Sequence, residues 1–108
     1  MNQELLTKVL SIPTYFGEED KMINFLEEYL KEAKLNYTVD KLGSIYVTKG
    51  DAEQYPCFIS HTDTVHKVNE RLEVYINPAG HLQGRDCVDH SKLGIGGDDK
   101  CGVYLCLE

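Results

Sequence analysis

Several signatures that would fix a function at once are missing from this chain. Its four cysteines, at 57, 87, 101 and 106, form no C-x-x-C pair and no regular framework. That argues against a disulfide scaffold and for free thiols in a reducing, cytoplasmic setting. The opening Met1-Asn2-Gln3-Glu4-Leu5-Leu6 has no basic region followed by an apolar core, so no secretory signal is read there. No uncharged apolar run approaches the length of a membrane span, and there is no internal repeat or low-complexity segment. Positive charge is scarce as well. The formal net charge of −7 argues against general affinity for nucleic-acid phosphates or anionic membranes. The deficit is even along the chain, with 6 Lys and Arg against 10 Asp and Glu up to Gln54 and 5 against 8 beyond it, so neither half is a basic arm or an acidic tail.

What is present reads as one globular domain. At 108 residues, 42 % of them hydrophobic, the chain can bury roughly two-thirds of its unfolded surface. Leu5, Leu6, Val9 and Leu10 make one apolar stripe of a short helix over 3–10, ended at Ser11-Ile12-Pro13-Thr14 because proline biases Ile12 away from helical geometry. Glu18-Glu19-Asp20 suits a helix N-terminus, and Met22, Leu26, Tyr29, Leu30 and Ala33 recur as the core face of the helix that follows. Residues 36–40 and 44–48 alternate around Leu42-Gly43 as a β-hairpin. Tyr55-Pro56-Cys57-Phe58-Ile59-Ser60 is a continuous apolar run, the pattern of a strand buried on both faces of a largely parallel sheet. Residues 72–76 and 81–84 form strand candidates around Asn77-Pro78-Ala79-Gly80. Residues 85–92 read as polar and irregular. A last helix from Lys100 carries Val103, Leu105 and Leu107, with no C-terminal stop signal.

Two stretches carry chemistry. His61 and Asp63 stand two apart after the apolar run, where side chains of an extended segment point to one side. A carboxylate commonly orients a metal-binding histidine, although H-x-D is also a common surface pattern. Leu93-Gly94-Ile95-Gly96-Gly97-Asp98-Asp99-Lys100-Cys101-Gly102 delivers two adjacent carboxylates to a helix start. One reading is an aspartate capping free backbone N–H groups, a contribution of about 1 kcal/mol. The other is a hard dication relieving the repulsion between two carboxylates of which Lys100 can relieve only one. The glycines permit close packing and unusual dihedrals there. His66, His81 and His90 read as surface histidines.

The combination is more specific than either part. His-Thr-Asp-Thr-Val after an apolar run, followed by Gly-Gly-Asp-Asp-Lys-x-Gly at a helix start, resembles the co-catalytic zinc exopeptidases related to peptidase T. Aminoacylases, glutamate carboxypeptidases and the succinyl-diaminopimelate desuccinylase belong to the same family. Ser11-Ile12-Pro13, Gly17-Glu18-Glu19 and Asp40-Lys41-Leu42-Gly43-Ser44 also fit its N-terminal region, and Asp-Asp-Lys favours the peptidase T-like branch. The resemblance implies an α/β fold, with helices packed on a largely parallel mixed sheet. In it, 1–108 is the N-terminal half of a catalytic domain cut short after the Asp-Asp-Lys helix start. It implies that His61 ligates a first zinc, that Asp63 acts in catalysis by orienting His61, and that Asp98 bridges two zinc ions about 3.5–4 Å apart. Asp99 is not implied as a ligand. Cobalt or manganese are the expected substitutes for zinc. The peptide bond after the bridging aspartate is often cis in this family. The implied substrate is a short peptide or an N-acyl amino acid.

In the family, a Glu-Glu pair (a general base and a ligand of the second metal), a further acidic ligand and a last histidine lie downstream of the Asp-Asp-Lys helix, and this sequence does not include them. With two ligands where catalytic zinc takes three and a water, the chain by itself is expected to bind metal weakly and to be inactive. The expected missing partner is the C-terminal portion of the enzyme. The competing expectation is a non-catalytic interaction module, or one part of a split enzyme.

Overall fold

A computed structural model describes residues 2–66 and 71–108 of the chain. They contain helices α1 (Gln3–Ser11), α2 (Asp20–Glu32) and α3 (Gly97–Leu107), and strands β1 (Asn36–Val39), β2 (Ile45–Thr48), β3 (Leu72–Ile76), β4 (Leu82–Asp86) and β5 (Lys92–Leu93). The chain divides into two units, Met1–Met22 with Phe58–Glu108, and Ile23–Cys57.

In the first unit, α1 is capped by Asn2, whose side chain accepts from the Leu5 N–H at 3.0 Å. Ile12 leaves the helix in extended geometry just before Pro13. The helix packs against α3 and β3. Its buried face is Leu5, Val9 and Leu10, and α3 contributes Val103 and Tyr104 to the same core. The Asn2 N–H donates to the Tyr104 hydroxyl at 2.7 Å, tying the first helix to the last. The expected apolar set of the last helix splits. Val103 is buried, whereas Leu105 is 67 % exposed, because positions two apart on a helix face nearly opposite ways.

Strands β3, β4 and β5 form an antiparallel sheet in that order. The β3–β4 turn is closed by Asn77, whose carboxamide accepts from the His81 N–H at 2.9 Å. β4 extends further than the sequence pattern indicates. Arg85 and Asp86 belong to it and Lys92 opens β5, whereas 87–91 between them form the irregular turn that the sequence indicates. Charge pairs stabilise that extension where apolar alternation is lacking. Arg85 reaches Glu73 across the ladder at 3.1 Å and lies over the Tyr75 ring at 4.1 Å. Arg71 grips the buried carboxylate of Asp86 at 2.7 and 3.1 Å.

In the second unit, β1 and β2 pair antiparallel from Asn36↔Thr48 to Val39↔Ile45. The Asp40 carboxylate accepts from the Leu42 and Ser44 N–H groups, each at 2.9 Å, and closes the turn. On the part of α2 in this unit, Leu26 and Leu30 are buried and Tyr29 is half-buried, while Ala33 just past the helix is exposed; Met22, also buried, belongs to the first unit.

Residues 55–60 depart from expectation. No strand forms there, and Phe58 and Ile59 are 80 % and 88 % exposed. A strand buried on both faces needs hydrogen-bonding neighbours and a covering layer, and the described residues supply neither. All three ladders among the described residues are antiparallel. The parallel pairing found is the isolated bridge Tyr15↔Thr64.

Candidate metal centre

The segment carrying His61 and Asp63 is held by its end. The Thr64 N–H and hydroxyl both donate to the Thr14 carbonyl, at 2.6 and 3.1 Å, and the Phe16 N–H donates to the Thr64 carbonyl at 3.2 Å. His61 and Asp63 precede this anchor and stay accessible, with side chains 52 % and 42 % exposed.

The glycine-rich loop presents the acidic pair from the other side. Gly96 adopts a left-handed conformation (φ +66°), and Asp98 and Asp99 have non-helical dihedrals, so regular helix begins at Lys100. The Asp98–Asp99 peptide is cis, as the resemblance implies. The two carboxylates then separate. Asp98 points outward, 95 % exposed. Asp99 turns back as the helix cap, accepting from the Gly102 N–H at 3.1 Å. A β-carbon at Gly102 would meet that carboxylate, so a larger residue there requires the Asp99 side chain to shift.

Across this gap the two stretches meet. His61 Nε2 lies 3.1 Å from Asp98 Oδ1. His61 Nδ1 faces the Asp63 carbonyl at 3.0 Å and the Asp63 carboxylate at 3.1 Å. An N–H at Nδ1 donates to Asp63 and turns the Nε2 edge to Asp98, to which the protonated ring also donates; without that proton, Nε2 offers the lone pair of a carboxylate–histidine–metal arrangement. Desolvation is the largest single influence and lowers the His61 pKa, but the hydrogen bonds to the Asp63 carbonyl and the Asp98 carboxylate, with both charges, together outweigh it and raise it overall. The ring therefore sits in a field that favours positive charge.

Lys100 does not serve the acidic pair as the sequence suggests. Its side chain is buried, 2 % exposed, and Nζ donates to the Leu10 carbonyl at 3.3 Å. This cation sits at the C-terminal end of α1, where the helix dipole and unpaired carbonyls favour it. Its role was hidden in the sequence because Leu10 lies 90 residues away.

The donor set fits a zinc-type ion in part. One oriented imidazole nitrogen and one carboxylate oxygen face each other, and both are ordinary zinc ligands. Among the described residues, no group of three or more His, Cys, Asp or Glu side chains comes together to hold a metal. His66, His81 and His90 are exposed, as expected of surface histidines. The four cysteines are free and exposed. No helix among the described residues is long and apolar enough to cross a membrane.

The chain matches no protein-family model and no solved structure. Two curated proteins resemble it. A LysW-lysine hydrolase of Deinococcus radiodurans is 30 % identical over 87 residues, covering 81 % of this chain and 23 % of the relative. A LysW-lysine/LysW-ornithine hydrolase of Sulfurisphaera tokodaii is 41 % identical over 63 residues, covering 58 % of this chain and 17 % of the relative. The chain thus spans less than a quarter of the length of the curated relatives it matches, and both of them are hydrolases.

Proposed function

We propose that the chain supplies one side of the metal centre of a metal-dependent hydrolase acting on short peptides or N-acyl amino acids. The observation that carries this reading is the 3.1 Å approach of His61 Nε2 to Asp98 Oδ1, with Nδ1 held by Asp63. A capping aspartate and a surface histidine have no need to meet across 37 residues. His61 and Asp98 are the residues that would hold zinc, and Asp63 keeps the ring in the tautomer with Nε2 open. Bound zinc would supply Lewis acidity, polarising a carbonyl and lowering the pKa of a water towards about 7. This chain's own contribution is orientation: Asp63 fixes the imidazole, and the loop at Gly96 aims Asp98 outward.

The hydrolase names of both relatives support the reading. Those names give LysW-lysine or LysW-ornithine as what the relatives hydrolyse, which makes lysine- and ornithine-containing substrates the first to try. The largely parallel mixed sheet belongs to the same proposal, as a property of a complete catalytic domain.

The test is titration of the purified chain with Co(II), followed by its visible absorption. Weak binding is expected, lost in both His61→Ala and Asp98→Ala; binding that survives both changes sinks the reading. The chain alone is expected to hydrolyse neither di- or tripeptides nor N-acyl amino acids. Activity should appear on mixing with a polypeptide that carries the Glu-Glu pair and the last histidine.

A further inference from the structure

The two sides of the centre meet at a residue the chemistry does not use. Thr64 is buried, 5 % exposed, directly after Asp63 and three residues after His61. Its amide, hydroxyl and carbonyl are all engaged by the loop following α1, through Thr14 and Phe16. Its methyl group does something different. A β-carbon placed on Gly96 would lie 2.6 Å from Thr64 Cγ2 and 3.2 Å from Thr64 Cβ, so the threonine occupies the space that only glycine leaves open. Gly96 also carries the left-handed φ of +66° from which the loop turns towards Asp98, two residues on. Its carbonyl accepts the Lys100 N–H at 3.2 Å at the helix start.

We infer that Thr64 is the positioning residue of the centre, its methyl seated on Gly96 setting the separation between His61 and Asp98. The polar groups of Thr64 fix the His61–Asp63 segment to the end of α1. The methyl then sets how closely the acidic loop approaches that segment. Its metal-related consequence rests on the reading of His61 and Asp98 as ligands, whereas the geometric role does not. Hydroxyl and methyl have separable duties. Thr64→Val keeps a methyl on Gly96 and loses one hydrogen bond. Thr64→Ser keeps that hydrogen bond and vacates the contact.

The experiment uses the 108-residue chain without metal at fixed pH, reading the ring-nitrogen shifts of His61 by NMR, with His61→Ala for assignment. Thr64→Ser and Gly96→Ala are each expected to move those shifts in the direction produced by Asp98→Asn. Thr64→Val is expected to leave them at wild-type values. The Thr64→Ser/Gly96→Ala double variant should be perturbed less than the sum of its parts, since the serine makes room for the new methyl. A merely structural Thr64 predicts that Ser and Val variants lose thermal stability alike while the His61 shifts stay fixed. Unmoved shifts in folded Thr64→Ser overturn the inference, and Thr64→Ser decides it even where Gly96→Ala does not fold.

Co(II) affinity is the second readout, expected to fall about tenfold in Thr64→Ser. If wild type shows no His61-dependent Co(II) binding while the ring shifts still respond, the metal reading falls and the positioning role stands.

Discussion

Lys100 Nζ donates to the carbonyl of Leu10 at 3.3 Å from a side chain that is 2 % exposed. Burial pushes this ammonium down from 10.5 to about 8. Between those values the unfolded chain holds a proton that the folded chain has released. Stability is therefore expected to rise with pH across that window and to show no pH dependence from Lys100 below it, where the buried charge is present in full. Urea midpoints measured from pH 7 to 10.5 should show the rise in wild type and not in Lys100→Met.

Adjacent aspartates are expected to respond oppositely to the same substitution. Asp99 caps α3 through the Gly102 N–H, so Asp99→Ala should lower stability by about 1 kcal/mol, with Asp99→Asn largely sparing it. Asp98 is 95 % exposed, and Asp98→Ala should leave the urea midpoint near wild type while removing Co(II) binding. A stability loss confined to Asp98→Ala would reverse the assignment of cap and ligand.

Acid should loosen the β3–β4 sheet through Asp86. Burial pushes its carboxyl up, but the Val88 and Asp89 N–H groups and the Arg71 guanidinium outweigh that and hold it below the usual range. The folded pKa is the lower one, so the stabilisation is complete above the unfolded value and is lost as pH falls through the folded value. Asp86→Asn should lower stability near neutrality and flatten the acid limb of a plot of thermal midpoint against pH.

Core burial gives a further contrast. Leu10 is 1 % exposed on α1, and Leu10→Ala should cost about 2–5 kcal/mol. Leu42, 91 % exposed in the β1–β2 turn, should tolerate alanine with little change in the urea midpoint.

Local physics made much of this chain legible. The stripe on α1, the Met22-Leu26-Leu30 face of α2, and the turns at Asp40–Ser44 and Asn77–His81 each depend on residues a few positions apart. The candidate site was legible as two short motifs for the same reason. Position-specific chemistry shows in sequence when spacing alone sets it, as with His61 and Asp63, or Asp99 and Gly102. The stretch 55–60 failed the same test, because hydrophobic content says that a segment can be buried but not that neighbours exist to bury it.

Hydrophobic periodicity and turn chemistry by themselves outlined the first two helices and the hairpins, and the two motifs named the residues proposed to hold a metal. Tertiary structure decided which atoms meet. It turned Asp98 towards His61 and Asp99 away from it, drew Lys100 into the core beneath α1, and carried the charged end of β4 into the sheet through Glu73 and Arg71. Each outcome joins residues 12 to 90 positions apart, or depends on a backbone turn such as that at Gly96. Energies of that kind depend on where the chain returns in space, and no local pattern encodes them.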